Sequence, residues 1–350
     1  MTREPRLLLL GYGNVARALL PLLAARSAWM VREAGIHPLI CGLGSRRSGF
    51  LVHPTGIAAE KFRSPDPLRL LAPESKACDD ALSFIQAGSL AGANTLIELT
   101  TLHPENGEPA LGYMRCALEN GMDVITANKG PIAHAGTLLQ TLARQRGLYL
   151  RYESTVMDGL PLLSLAEFTL PAVGMRGFRG LLNRTSSIVL QAMEQGRSLE
   201  EAIREAQQIG VAETNPWHDL DGWDAAMKTT ILANALLHAH LTPAQVQRTG
   251  IRDLSQQEIQ AAAQAGTPIR LVSSASIIDG VPSATVRPQR LQPGDPLFIS
   301  RESGIISLET EAMGTITLIQ HATGVLQTAY GVLSDLLIIQ RARDGSLGNP

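Results

Sequence analysis

Leu7 to Leu10 form an apolar run with no polar interruption, the pattern of a strand buried on both faces of a parallel sheet. GYGNVA follows, and then VARALLPLLAAR, whose apolar positions recur at helical spacing. Pro21 falls inside that helix, where an interior proline costs about 3 kcal/mol or more, so a kink or an early end is expected there. Further apolar runs predict strands over His37–Leu43, Thr95–Leu99 and Asp123–Thr126, the last two followed by the polar stretches TTLHPEN and ANKGP. SLEEAIREAQQIG, residues 198 to 210, sets Leu199, Ala202, Ile203, Ala206 and Ile209 on one side of an amphipathic helix. HDLDGWDAAMKTTILANALLHAHL predicts a different kind of helix. Asp221, Asp224 and Lys228 lie three and four apart, and Ile231, Leu232 and Ala235 continue that face. Ala226, Thr230, Ala233 and Leu237 line the opposite side. A helix apolar nearly all round is a buried one, and ions at its mouth require a reason.

Two readings of those ions stand open. An exposed Asp224–Lys228 pair would be an ordinary i, i+4 contact worth about 0.3–0.5 kcal/mol. A lysine held among apolar neighbours would instead lose proton affinity, which a nearby carboxylate offsets, and such tuning suits a group that exchanges a proton.

Composition narrows the field without choosing between them. The chain has 350 residues, 45% hydrophobic and 18% charged, an ordinary globular make-up whose length favours two domains. A formal charge of −2 with no dense Lys/Arg run gives no footprint for nucleic acid or an anionic membrane. Cys41, Cys78 and Cys116 are odd in number and not in metal-ligand spacing, so they read as incidental thiols of a reducing compartment. The amino-terminal apolar run is broken by Gly11, Gly13, Asn14 and Arg17, too early for a secretory signal, and no segment reaches the roughly 20 apolar residues of a membrane span. A cytoplasmic location with a small-molecule partner is expected.

Gly11, Gly13 and Ala16 fit the G-x-G-x-x-G/A pattern directly after a strand and before a helix, the context in which it binds a dinucleotide. Small residues let the turn close and the backbone approach a pyrophosphate, and the helix amino terminus at Asn14, Val15 and Ala16 favours its charge. The second predicted strand ends in GLGSRR rather than in the acid that usually receives an NAD ribose hydroxyl. Arg46 and Arg47 are therefore read as holding a 2′-phosphate, so that NADP is expected over NAD, with a plainly solvated pair as the alternative. Ligands collect beyond the carboxyl ends of parallel strands, which directs Thr100, Thr101, Asn128 and Lys129 towards the cofactor; a strand cap is the other reading of Lys129.

With these residues in view, the chain resembles homoserine dehydrogenase over nearly its whole length. GYGNVARALL, DVITANKGP, YESTVMDGLPLLS, GLLNRTSS and above all GVAETNPWHDLDGWDAAMKTTILA carry the resemblance, with VRPQRL, DPL and LQTAYGVLSDLL matching the closing segments less closely. The resemblance implies interconversion of L-aspartate 4-semialdehyde and L-homoserine with a nicotinamide cofactor, a step towards threonine, methionine and isoleucine. It makes Lys228 and Asp224 the residues that manage the substrate oxygen and its proton. Lys129 becomes a second active-site lysine, Glu213 the ligand of the substrate ammonium, and Asn183 and Thr185 substrate neighbours. It also implies a monovalent-cation site, normally sodium, on Glu153 and the backbone around Val156 and Asp158.

The matching fold is α/β: a Rossmann-type domain over residues 1–150, completed by a closing helix near Thr328–Ile339, and an α+β catalytic and dimerisation domain with an open sheet over 151–310. The resemblance makes the protein a homodimer, and a chain ending at Pro350 leaves no room for a regulatory domain. Departures are specific. Arg184 replaces a small residue after Leu-Asn, Ser186-Ser187-Ile188 replaces a Thr-Asn-Tyr-like stretch, and IQHATGVLQTA keeps only Gly324 of the usual glycines. They leave a related oxidoreductase with a shifted substrate, or a non-catalytic nucleotide-binding paralogue, as rival readings. The joint retention of Glu213, Asp224, Lys228 and Lys129 speaks against the paralogue.

Overall fold

The computed structural model describes residues 4–63, 66–298, 304–321 and 323–346. The chain divides into two units, residues 1–164 with 324–350, and residues 165–323. These divisions differ from 150 and 310 for local reasons. The turns after residue 150 pack on the closing helix, while Gly314–Gln320 pairs in the second sheet.

The first unit is built on a seven-stranded sheet. In chain order its strands are β1 (Arg6–Leu10), β2 (Leu39–Ser45), β3 (Gly49–Ala58), β4 (Lys76–Cys78), β5 (Thr95–Glu98), β6 (Asp123–Thr126) and β7 (Leu150–Arg151). The spatial order is β4-β3-β2-β1-β5-β6-β7. Strands β2, β1, β5, β6 and β7 run parallel, and β3 and β4 add antiparallel pairings at one edge. The order turns outward on both sides of β1, so the crevice beyond the carboxyl ends of β1 and β5 is the place where such sheets take ligands. Leu7, Leu8 and Leu9 are wholly buried, as the run of four leucines requires.

The Asn14–Ala34 helix continues unbroken past Pro21, so the early end that was one of the two expectations does not occur. Pro21 and Arg17 both lie on the exposed side, where water can take the carbonyl that a proline leaves without a donor. Leu19, Leu20, Leu23 and Met30 meanwhile bury the other face. Strand β2 starts at Leu39 rather than His37, and Leu99 falls just beyond β5, although its N–H still donates to Leu10 O at 2.7 Å. The closing Val325–Arg343 helix packs on Asn14–Ala34, with Val332, Leu336 and Ile339 in the same core as Leu19 and Leu23.

The second unit carries an open six-stranded sheet of β8 (Met175–Leu181), β9 (Gln247–Arg248), β10 (Ile269–Ile278), β11 (Val281–Arg290), β12 (Gly304–Thr310) and β13 (Gly314–Gln320). All its pairings are antiparallel except that of β11 with β9. The Trp223–Leu237 helix lies on β8, β10 and β11, and Ala225, Ala226, Ile231, Leu232 and Ala233 are all buried. Its all-round apolar pattern is thereby explained. The amphipathic helix spans Leu199–Gln208, opened by a capping box between Ser198 and Glu201.

Candidate active site

In the first unit, the turn after β1 is shaped for a phosphate. Gly11 has φ +102°, and a side chain there would run into the backbone of Leu99 and Thr100, so only glycine lets the two strand ends come together. Gly13 has open space where a Cβ would stand, and it caps Asn14–Ala34 without any side-chain hydrogen bond. The amino-terminal N–H groups of Asn14, Val15 and Ala16 are thus not taken by a capping side chain, and no acid sits in the first turn to repel an anion. Arg46 and Arg47 are exposed in the turn joining β2 to β3, which Ser45 Oγ holds by accepting from Ser48 N at 3.1 Å. Thr100 is half-buried and Thr101 exposed beyond β5. Beyond β6, Asn128 caps the Lys129–Gln145 helix by accepting from Gly130 N at 3.2 Å, which makes half-buried Lys129 the first helical residue. These residues fit a dinucleotide.

In the second unit, the expected residues converge on one polar cluster inside an apolar surround. Lys228 Nζ stands 3.0 Å from Asp224 Oδ2 and donates to Leu182 O at 2.7 Å. Asn183 Nδ2 donates both to Asp224 Oδ2 at 2.9 Å and to Asp219 Oδ1 at 2.8 Å. Thr185 Oγ1 donates to Asp219 Oδ2 at 2.7 Å. With side-chain exposures of 18% for Lys228 and 8% for Asp224, this is no solvated surface pair. Asn183 also caps the Arg184–Glu194 helix by accepting from Ser186 N at 2.8 Å. One side chain therefore starts a helix and separates two carboxylates.

Asp219 is the member that sequence reasoning missed; it lies within the signature segment, at no helical spacing from Lys228. Asp221 was placed on the Asp224–Lys228 face and is not there. Gly222, with φ +82°, breaks the helix before Trp223, and Arg252 claims the Asp221 carboxylate at 2.9 and 2.7 Å. Arg252 stacks on Trp217 and Arg248 on Trp223, each 3.8 Å from the ring centre, and Arg248 Nη1 donates to Asp221 O. The two arginines clamp the corner between the two acids that do join the cluster. Glu213 lies apart from them: it is exposed, Gln207 Nε2 donates to its backbone oxygen at 3.1 Å, and its carboxylate has no partner among the described residues. Arg184 is exposed beside Asn183, with Nη1 3.5 Å from Thr323 Oγ1.

Glu153 belongs to the first unit, and its buried carboxylate accepts from Leu163 N at 2.7 Å and Ser164 N at 2.8 Å. Asp335, wholly buried on the closing helix, accepts from Glu153 N at 2.9 Å and pairs with Arg151 at 3.3 Å. Burial pushes Asp335 up to about 7 despite Arg151, and the Glu153 charge adds to the rise. Met157, Asp158 and Gly159 have φ of 46°, 48° and 77°, a left-handed turn in which Val156 O accepts from Gly159 N at 3.2 Å. Two buried carboxylates against one arginine, with a strained run of backbone carbonyls beside them, is a setting that fits a monovalent cation. No group of three or more His, Cys, Asp or Glu suited to a metal occurs among the described residues. Burial raises the thiols of Cys78 and Cys116, and that of Cys41 to about 11, so none is primed as a nucleophile.

A parallel sheet with a glycine-rich phosphate turn, together with a lysine–carboxylate cluster able to handle an oxygen and its proton, defines a nicotinamide-dependent oxidoreductase. Comparison with known proteins narrows the class. The family model for homoserine dehydrogenase matches residues 161–337. The NAD(+)-dependent homoserine dehydrogenase of Pseudomonas canavaninivorans is 37% identical over 97% of this chain and 97% of its own. The crystal structure of homoserine dehydrogenase from Thermoplasma acidophilum superposes with a TM-score of 0.79 at 27% identity, over 97% of this chain and all of that one. A hyperthermophilic archaeal homoserine dehydrogenase solved with NADPH has the same fold, with a TM-score of 0.80 at 24% identity over 97% of this chain and 98% of that one. The chain belongs to the homoserine dehydrogenase family, NAD(P)-dependent oxidoreductases that interconvert L-homoserine and L-aspartate 4-semialdehyde on the way to threonine and methionine.

Proposed function

We propose that this chain performs the homoserine dehydrogenase reaction through the Lys228–Asp224–Asn183–Asp219 cluster. The single observation that carries this reading is Lys228, a largely buried ammonium on a mostly apolar helix, aligned by Asp224 and Leu182 O. Bound NAD(P) supplies or accepts the hydride. During reduction negative charge grows on the aldehyde oxygen; Lys228 stabilises it and delivers a proton, and in the oxidation of homoserine it takes that proton back. Asp224 keeps Lys228 charged and aimed, and Asn183 keeps Asp224 and Asp219 apart. Glu213, whose carboxylate has no partner among the described residues, meets the substrate ammonium, while Asn183 and Thr185 border the substrate. Lys129 is the second lysine acting on the substrate. Gly11, Gly13, Asn14, Val15 and Ala16 hold the pyrophosphate, and Thr100, Thr101 and Asn128 border the nicotinamide half.

Arg46 and Arg47 support NADP over NAD, although the Pseudomonas relative is named as NAD(+)-dependent. Glu153 with the Val156 and Asp158 carbonyls supports a bound sodium ion that holds the loop and takes no chemical part. The exposed apolar tip of the β10–β11 hairpin, with Ile278 at 59% and Val281 at 65%, supports homodimerisation through the second unit. Free thiols and described helices too short or too polar to cross a membrane support a cytoplasmic location.

The test is oxidation of NADPH and NADH with aspartate semialdehyde by wild type and Lys228→Ala. Loss of turnover in the variant with nucleotide binding intact is the expected result. No turnover by wild type with either cofactor, despite binding, would sink the reading. It would turn attention to Arg184, whose exposed cation beside Asn183 and Thr185 favours a shifted substrate.

A further inference from the structure

We infer that Glu98 is a positioning residue for the reaction, fixing Lys129 and the Thr100 turn through one closed ring of hydrogen bonds. The inference rests on the proposed role of Lys129 and concerns a residue that no step of the mechanism uses. Glu98 is the last residue of β5, at the ligand-facing end of the parallel sheet, and is wholly buried. A strand buried on both faces has no reason of its own to end in a carboxylate, since removing that charge from water is costly. Burial accordingly raises Glu98 above the ordinary glutamate range. It has no ion-pair partner among the described residues, so its compensation comes from hydrogen bonds.

Those bonds run to both neighbouring strand ends. Thr100 N donates to Oε1 at 2.8 Å, and Thr100 Oγ1 donates to the same oxygen. Thr126 Oγ1 donates to Oε2 at 2.9 Å while accepting from Asn128 N, also at 2.9 Å. Asn128 closes the ring, with Nδ2 donating to Thr100 O at 3.3 Å, and its Oδ1 caps the helix whose first residue is Lys129. With Glu98 ionised its two oxygens only accept: Thr126 Oγ1, which itself accepts from Asn128 N, gives its proton to Oε2, and Oε1 receives two donors from Thr100. The centre of such a ring must only accept, which a carboxylate does and an amide does not. Glu98→Gln would keep the shape and turn one acceptor into a donor facing the Thr126 hydroxyl. The ring would loosen, Asn128 would shift, and with it the start of the Lys129 helix.

The experiment is steady-state turnover of homoserine by wild type, Glu98→Gln, Lys129→Ala and the double variant, each checked for folding and nucleotide binding. Glu98→Gln is expected to lose about tenfold or more in kcat, within the roughly hundredfold that an ångström of misplacement can cost. It should add almost nothing to the loss in Lys129→Ala, because both changes disable one device. Losses that multiply, or a Glu98→Gln variant with wild-type kcat and only a lower Tm, would overturn the inference and leave Glu98 a structural staple. Wild-type kcat in Lys129→Ala would overturn it too, with the reaction itself standing. Absence of wild-type turnover would instead defeat the proposed function. If Glu98→Gln does not fold, Thr126→Val carries the same test. It cuts the link to Asn128 with the carboxylate in place and is expected to show the same non-additive loss.

Discussion

Asn183 does three things with one amide: it caps a helix through Oδ1 and holds Asp219 and Asp224 through Nδ2. Asn183→Ala should therefore cost more than a cap, whose loss is typically about 1 kcal/mol, because two carboxylates lose their shared donor. A lower denaturation midpoint together with a kcat loss approaching that of Asp224→Ala is the expected outcome; loss of stability alone would make Asn183 a cap and nothing more. A second prediction concerns the arginines of the β2–β3 turn. Arg46→Ala with Arg47→Ala should lower the NADP/NAD ratio of kcat/KM, and an unchanged ratio would mean the pair is simply solvated. At this scale the sequence was legible where partners lie close in the chain. Lys228 and Asp224 are one turn apart and were readable. Asp219 was not, since its partners Asn183 and Thr185 come from a segment more than thirty residues earlier. Asp221 was misread because a single left-handed glycine ends the helical register.

Elements follow the same rule. The four-leucine strand and the buried Trp223–Leu237 helix were readable from local pattern, because burial on all sides leaves the strand no polar position and makes the few on the helix, Asp224 and Lys228 first, stand out. Pro21 deceived because its cost depends on which side of the helix it faces, a fact set by packing. The closing helix shows what pattern cannot reveal. Gly331 on that helix leaves no room for a Cβ, which would stand 2.8 Å from Gly159 Cα and press on Ser154 Oγ. Gly331→Ala should consequently destabilise the first unit by about 1–3 kcal/mol, the usual range for overpacking, read as a lower urea midpoint with unchanged slope. The far end of the same helix is tied by Arg343, which donates to Asp123 at 3.1 and 2.5 Å. Contacts more than two hundred residues apart in sequence leave no periodic trace.

For the whole molecule, buried carboxylates make stability depend on pH in a direction opposite to ordinary ion pairs. Glu98 is raised by burial from its ordinary 4.5, against the opposing pull of its hydrogen bonds. The folded chain therefore binds this proton more tightly than the unfolded chain does, and stability falls as pH rises from about 4.5 through the folded value. Asp335, pushed up to about 7, contributes with the same sign. Glu98→Gln cannot titrate. Its stability at any one pH is expected to be lower for want of the ring, yet its decline with rising pH should be shallower than that of wild type, with the Asp335 contribution common to both. Urea unfolding of the two proteins at several pH values between 4.5 and 7.5, bracketing the ordinary value of the one and the raised value of the other, yields a difference curve in which only Glu98 appears. A difference independent of pH would mean that the carboxyl keeps an ordinary proton affinity in the folded chain, and that the Thr100 and Thr126 donors fully offset its burial.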